Sequence, residues 1–340
     1  MPKWIGSLLK SQQSGLVVII LVLGAVLAHF SGHHVDPLTG RDINNFLNLS
    51  TLVQLTTDTS FYAIMAVGMT AVIVSGGIDL SVGSIYAVSS VLMALALQHS
   101  PNAPALLALA ICCGIGLLCG LFNGIMVAKL GVHPFIITLG TMWIYRGISF
   151  VTTGAESINV PQPLTDFAKA TLGMRRDQHP VPFILTILVT ILGGIFLVRT
   201  TWGRRIFAVG GNIEASRYSG LKIGPILAGV YTIAGLTAGL AGFLGCSFYG
   251  SASSADAEGY ELYVIAAAVV GGASLVGGKG SASGAFLGAL LIALIRQAIR
   301  TLNLNTNYEW IIIGVAIIVA VVLDRANAQL TAKRQLAARG

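Results

Sequence analysis

Residues 199–222 read RTTWGRRIFAVGGNIEASRYSGLK. The stretch before it, 181–198, and the stretch after it, 225–246, carry no charged side chain, while Arg199, Arg204, Arg205, Arg217 and Lys222 fall inside it. An uncharged apolar run of about eighteen residues reads as a membrane-spanning helix. A basic segment between two such runs reads as a loop on the side of the membrane where positive charge collects. The segment carries its own helix punctuation. Asn212 is a good N-cap, Glu214 suits the positive end of a helix dipole, and Gly220 sits where a left-handed residue would close the helix. Between them lie about seven residues, two turns, roughly 10 Å of helix. A helix that short is marginal alone and needs a surface to dock on. Spacing leaves two readings open: a docking element for another protein, or an ordinary cytoplasmic loop with a tidy turn.

The rest of the chain repeats the alternation. Apolar residues make up 55% of it and charged residues 10%, and mean hydropathy is +0.82. Soluble domains carry about a quarter charged residues. The fold class is therefore all-α, a polytopic membrane protein; a β-barrel would need short alternating segments instead. The net charge of +7 is no nucleic-acid signal, because the basic residues sort to one side of the membrane. The histidines form no ligand pattern, and Cys112, Cys113, Cys119 and Cys246 lie in apolar segments and read as packing residues, with no metal expected.

Ten spans are expected, at about 16–30, 49–75, 80–97, 105–128, 134–151, 181–198, 225–246, 262–276, 282–295 and 310–323. The first follows Lys3 and Lys10 and is read as an uncleaved span rather than a signal peptide. Ten spans put both termini on one side. With the N-terminus inside, Lys3, Lys10, Lys129, Arg199, Arg204, Arg205, Arg217, Lys222, Lys279, Arg325, Lys333, Arg334 and Arg339 are internal. Arg41, Arg146, Lys169, Arg175, Arg176, Arg296 and Arg300 are external. Thirteen of the 20 basic residues then face inward, which the positive-inside rule favours. Both termini are expected in the cytoplasm. The expectation is one transmembrane domain over 1–340, with a cytoplasmic loop at 199–222 and a periplasmic segment at 153–180.

Two glycine-rich turns echo each other, SGGIDLSVGS at 75–84 and VGGASLVGGKGS at 270–281. Both join two spans on the cytoplasmic side, where glycine pairs let a chain leave the helix inside protein. Small residues recur at four-residue steps, Gly116, Gly120 and Gly124, then Gly235 and Gly239, then Gly284 and Gly288. They read as close helix contacts.

Lys279 invites the question of an ATP site. A phosphate-binding loop needs G-x-x-x-x-G-K-[ST]. Here Ala273 replaces the first glycine and Gly280 the hydroxyl, so the motif fails twice. No catalytic residue is assigned and the chain is not expected to be an enzyme. Energy comes from a partner ATPase or from an ion gradient. Ion-driven transport would show ionisable residues in mid-membrane, and the census stops at Asp79, Arg146 and Asp58. Asp79 is either the N-cap of the third span or a gating residue; Arg146 can snorkel outward. Asn123, Thr138 and Thr141 either hydrogen-bond neighbouring helices or line a polar path. With Gly77, Asp79 and Ser81 they form the candidate path or gate. An intramembrane enzyme lacks support, since no histidine is placed with an acid on an opposing span and no H-E-x-x-H appears.

Four segments, GGIDLSVGS (76–84), PFIITLGTMWIYRG (134–147), GRRIFAVGGNIEASRYSGLK (203–222) and AAAVVGGASLVGGKGS (266–281), resemble the signature segments of the bacterial ABC permeases of the ribose, xylose, arabinose and galactose type. With Leu323-Asp324 the resemblance covers nearly the whole chain. It implies a permease dimer, of identical or paralogous copies, in the inner membrane. A separate cytoplasmic sugar-type ATPase holds ATP and Mg, so that this chain binds no cofactor, and a periplasmic binding protein delivers a monosaccharide. The same importer type could serve a furanose-like signal molecule, a polyol or a nucleoside; an ion-coupled secondary carrier is the reading from another class. The resemblance also makes 199–222 the coupling segment that rests in a groove of the ATPase. Gly203, Arg204, Gly210, Gly211, Asn212, Ala215, Ser219 and Gly220 carry over as interface or loop-shape residues. Ser216 stands where the family commonly has Ala, and 153–180 is longer than the family leads one to expect. Apart from these proteins the expected contact is membrane lipid, with no nucleic acid.

Overall fold

A computed structural model describes residues 12–36, 40–305, 307–312, 314, 315, 318, 319 and 322. Lys3, Lys10, Leu323-Asp324 and the basic residues from Arg325 onward lie outside the described residues. The elements in chain order are α1 (Gln12–Phe30), β1 (His33–Val35), β2 (Asp42–Asn44), α2 (Leu49–Val74), α3 (Val82–Leu97), α4 (Ala105–Leu130), α5 (Pro134–Thr153), β3 (Ile158–Asn159), α6 (Gln162–Ala168), α7 (Val181–Arg199), α8 (Thr201–Gly211), α9 (Ile213–Tyr218), α10 (Ile223–Tyr249), β4 (Ser251–Ala252), α11 (Tyr260–Val270) and α12 (Ala282–Thr301). Among the described residues the strands pair as two short antiparallel ribbons, β1 with β2 and β3 with β4.

Seven of the described helices, α1, α2, α4, α5, α7, α10 and α12, are long and apolar enough to cross a membrane. Local chemistry sets their ends. Asn48 accepts from the Thr51 N–H to start α2, and Ser281 accepts from Gly284 to start α12. Left-handed Gly131, Gly154 and Gly250 close α4, α5 and α10. α3 and α11 are shorter. α11 ends at Val270 rather than at 276. At 1.5 Å per residue it spans about half of a roughly 30 Å hydrocarbon layer. The chain leaves the helix there because Gly272, Gly277, Gly278 and Gly280 all take positive φ, a region side chains avoid. Every described residue from 308 to 322 is helical, where the tenth span is expected.

α2 and α3 form the centre. Nearly every residue of α2 from Leu55 to Val74 and most of α3 are buried. α1, α4, α5 and α7 turn apolar side chains such as Leu21, Leu118, Trp143 and Leu192 outward, a continuous apolar exterior suited to lipid. α4 lies on α10 through its glycines. A methyl on Gly116 or Gly120 would run into the backbone of Gly235 and Gly239 or of Tyr231 and Gly235. Gly284 and Gly288 of α12 are pressed in the same way against Gly271 and Ala267 at the end of α11. Close backbone approach of this kind replaces the hydrophobic effect as the force between helices in lipid.

The loops sort to two ends of the bundle. At one end Gln13 donates to Ser281 (2.6 Å), and Gly278 donates to the carbonyl of Val74 (2.8 Å), the last residue of α2. At the other, Arg175 pairs with Asp36 (3.4 Å), β3 of the 153–180 segment pairs with β4, and Asp58 pairs with Arg300 (2.7 Å). Arg146 does not snorkel. It is buried and donates to the carbonyls of Ser254 (2.5 Å) and Asp256 (2.7 Å), because the loop after β4 folds over the end of α5 and supplies the acceptors. Asp58 likewise has a partner, Arg300 in the last turn of α12.

Candidate functional site

Two of the expected regions meet at the same end of the bundle. The first is the break between α2 and α3. After Val74 the chain passes through Gly76, at φ +88°, and the extended residues 77–79. Gly77 has no room for a side chain, since a methyl there would collide with the Tyr231 hydroxyl. Asp79 is fully buried. Its Oδ1 accepts from the Ser81 N–H (2.8 Å) and from the Ser81 hydroxyl (2.6 Å). Asp79 is therefore not the N-cap of α3, which is Ser81; it folds back two residues on as an Asx turn, because a short carboxylate reaches the second following N–H.

The network extends to other helices. Asn123 of α4 donates to the Ser81 hydroxyl (2.7 Å). The Tyr145 hydroxyl of α5 lies 3.2 Å from Asn123 Oδ1 and 3.0 Å from the Cys119 carbonyl. Thr138 of α5 donates to the Ile78 carbonyl (3.3 Å) and Tyr231 of α10 reaches the same oxygen (3.5 Å). Asp79 Oδ2 is buried with no hydrogen-bond partner among the described residues. The structure thus gathers Gly77, Asp79, Ser81, Asn123 and Thr138 around one break. It leaves Thr141 outside, back-bonded to the Thr138 carbonyl (3.3 Å). Tyr145 and Tyr231 complete the cluster without having been singled out in the sequence. Aromatic hydroxyls in apolar helices carry no spacing signal of their own.

The second region is residues 199–222, which form two helices rather than a loop around one. In α8, Thr200 caps Gly203 (3.0 Å) and the buried side is Gly203, Ile206 and Val209. The i, i+3, i+6 spacing of these small and apolar residues was the available signal, hidden among basic residues. α9 has the expected punctuation. Asn212 accepts from the Ala215 N–H (2.9 Å), Gly220 has φ +79°, and Gly220 and Leu221 donate to Arg217 and Ser216 (3.0 and 3.1 Å), a Schellman closure.

The carried-over residues divide by environment. Gly203 packs on the carbonyls of Phe196 and Leu197, and Gly210 on those of Val74 and the Gly278 N–H, so neither tolerates a side chain. Arg204, Gly211, Asn212, Ala215, Ser219 and Gly220 are exposed. Ser216 is buried inside the chain and so does not share the exposed face of Ala215 and Ser219. In its place stands Tyr218, 87% exposed, next to Ile213 at 43%.

The two regions share a wall. Gly210 of α8, Val74 of α2 and Gly278 of the second glycine-rich turn touch one another, so both echoing turns join the end of α8. A cavity of about 460 Å³ opens between Gly76 and Gly77 of the break, His133 and Pro134 at the start of α5, and Ile213 of α9. Movement of the α8–α9 unit would therefore be felt at the α2–α3 break through direct contact.

Comparison with known proteins gives one family. The family described as the branched-chain amino acid transport system / permease component matches residues 51–321. The ribose import permease protein RbsC of Escherichia coli (strain K12) is 37% identical over 281 residues, 82% of this chain and 87% of that one. The D-allose transport system permease protein AlsC of the same strain is 35% identical over 282 residues, 82% and 85%. The autoinducer 2 import system permease protein LsrD of Photorhabdus temperata is 33% identical over 284 residues, 81% and 83%. No solved structure matches the chain.

Proposed function

Because the chain belongs to this permease family, a multi-pass protein of the bacterial inner membrane, we propose that it is the transmembrane subunit of an ABC importer for a monosaccharide. The observation that carries the reading is the likeness to ribose and allose import permeases over more than four-fifths of both chains. The family description names branched-chain amino acids instead. The named relatives weigh more, since they match at 35–37% identity. A second substrate reading, a furanose-like signal molecule, has its own support in the autoinducer 2 permease.

In this reading a separate ATPase holds ATP and Mg, a binding protein brings the sugar, and two permease copies or paralogues enclose the path. Ten spans with both termini in the cytoplasm place α8 and α9 on the ATPase side and the 153–180 segment on the other. α9 is the part that docks. Its exposed Ile213, Ala215, Tyr218 and Ser219 form the contact, and Gly203, Gly210, Asn212 and Gly220 shape it. Closure of the ATPase halves would move α9 with α8 as a rigid unit. Contact through Gly210 passes that motion to Val74 and the α2–α3 break, where Gly77, Asp79, Ser81, Asn123 and Thr138 sit as a gate.

The experiment is to purify the chain with the ATPase and binding protein encoded beside it and measure ATP hydrolysis with and without D-ribose-loaded or D-allose-loaded binding protein. Hydrolysis stimulated by one of them is expected. A permease that retains no ATPase subunit sinks the importer reading, and uptake abolished by a protonophore but indifferent to ATP depletion turns it toward the ion-coupled carrier.

A further inference from the structure

At the end of the bundle away from α8 and α9, a cavity of about 320 Å³ is lined by Ser50, Thr51 and Gln54 of α2, Asp177 of the 153–180 segment and Gln297 of α12. Its volume is at the lower edge of the roughly 300–1,000 Å³ typical of small-molecule sites. Every lining side chain carries a hydrogen-bonding group, three of them hydroxyls or carboxylate oxygens and two of them amides, which can both donate and accept. Three separate parts of the chain converge on it.

The charges around it are balanced. Asp177 lies 3.3 Å from Arg175 and accepts from the Ser50 hydroxyl (2.6 Å). Just deeper, Asp58 accepts from Gln54 (2.8 Å) and from Arg300 (2.7 Å), and Arg300 also donates to Gln297 (2.9 Å). Each carboxylate thus has an arginine, and no lining residue is a cation. Such a site has little to offer an ion and much to offer a neutral molecule rich in hydroxyls.

An aromatic cluster stands beyond Asp58 on α2. One turn deeper on α2, Tyr62 accepts a hydrogen bond from Arg296, and its ring meets Tyr260 (5.0 Å) and Tyr263 (5.9 Å) of α11. The Arg296 guanidinium stands 5.5 Å from the Tyr62 and Tyr263 ring centres and pairs with Glu309 (2.7 Å), which also accepts from Tyr263 (2.8 Å).

We propose that this polar cavity is the first site on the chain to hold the sugar, a neutral polyhydroxylated molecule received from the binding protein, with the Tyr62–Arg296–Tyr263 cluster closing the way beneath it. The proposal rests on the importer reading. It makes the 153–180 segment, through Asp177, part of the sugar's entry.

The test uses the full complex of permease, ATPase and binding protein in vesicles, with D-ribose and D-allose as probes. Gln297→Cys is labelled with a polar thiol reagent, and the parent complex, whose permease carries four cysteines of its own, sets the background. Labelling is expected to slow when sugar-loaded binding protein and a non-hydrolysable ATP analogue are present. Gln297→Ala is expected to lower the maximal uptake rate about fivefold, as for one lost hydrogen bond, with the half-saturating sugar concentration unchanged because the binding protein sets it. Should Gln297→Ala fail to assemble, Ser50→Ala replaces it. Labelling indifferent to sugar, together with parental uptake in the alanine variant, overturns the cavity site and leaves the importer reading standing. A parent complex that imports neither sugar and whose permease retains no ATPase subunit overturns both.

Discussion

At the scale of single residues, the α2–α3 break rests on one side chain. Asp79 Oδ1 satisfies both the N–H and the hydroxyl of Ser81, while Oδ2 is buried without a partner among the described residues. An unpaired buried donor costs about 1–3 kcal/mol, so Asp79→Ala should lower the thermal midpoint of the purified permease clearly. Asp79→Asn keeps an accepting oxygen for Ser81 but sets an amide NH2 group where Oδ2 has no partner among the described residues, so it should lose stability too, though less than Asp79→Ala. Equal losses in both variants would mean that the Asx turn does not hold the break. Asn212 works locally too. Its cap to Ala215 is worth about 1 kcal/mol, and α9 is only 6 residues long. Asn212→Ala should therefore reduce substrate-stimulated ATP hydrolysis while insertion and basal hydrolysis persist; unchanged stimulation would remove α9 from the coupling path.

At the scale of elements, the α4–α10 contact is built from glycine. Gly120→Ala puts a methyl against the backbone of Tyr231 and Gly235 and should destabilise by about 1–3 kcal/mol, the usual cost of overpacking. Gly140→Ala on exposed α5 meets nothing within 4 Å and should be neutral or stabilising by up to about 1 kcal/mol. Detergent-melting midpoints of the two variants separate packing from helix propensity. The 153–180 segment has a pH-dependent tie. The Ser50 hydroxyl, and less strongly Arg175, hold the Asp177 carboxyl below its usual range. A lowered carboxylate pKa stabilises the folded contact above the unfolded value of about 3.9 and loses that contribution as pH falls through the folded one. Hydrogen exchange in 170–180 should thus stay slow from neutral pH down to that region and rise only below it, and Asp177→Asn should abolish the transition.

At the scale of the whole molecule, the two sets of loops lie at opposite ends, and positive-inside counting predicts that the basic end faces the cytoplasm. Tyr218→Cys should react with a membrane-impermeant thiol reagent only in inside-out vesicles, and Asp166→Cys only in right-side-out cells; the reverse pattern would invert the orientation. Much of this plan was legible in the sequence alone. Apolar runs of membrane length, basic loops, Asn212 with Gly220, and glycines at four-residue steps are local or periodic features, and their physics acts within one segment or along one helix face. Class, the approximate positions of the seven long apolar helices, the α9 punctuation and the packing faces of α4 and α10 follow from them. Only the tertiary structure decided which segments meet. It turned Asp79 from a cap into the centre of a network with Asn123, Tyr145 and Tyr231, drew Arg146 inward, buried Ser216 in favour of Tyr218, and made 201–211 a helix wedged by Gly210 against Val74 and Gly278. A buried polar group takes whichever partner the packing brings within hydrogen-bond reach: the Ser81 hydroxyl finds Asn123 on another helix, and Arg146 finds the carbonyls of a loop more than a hundred residues on in the chain.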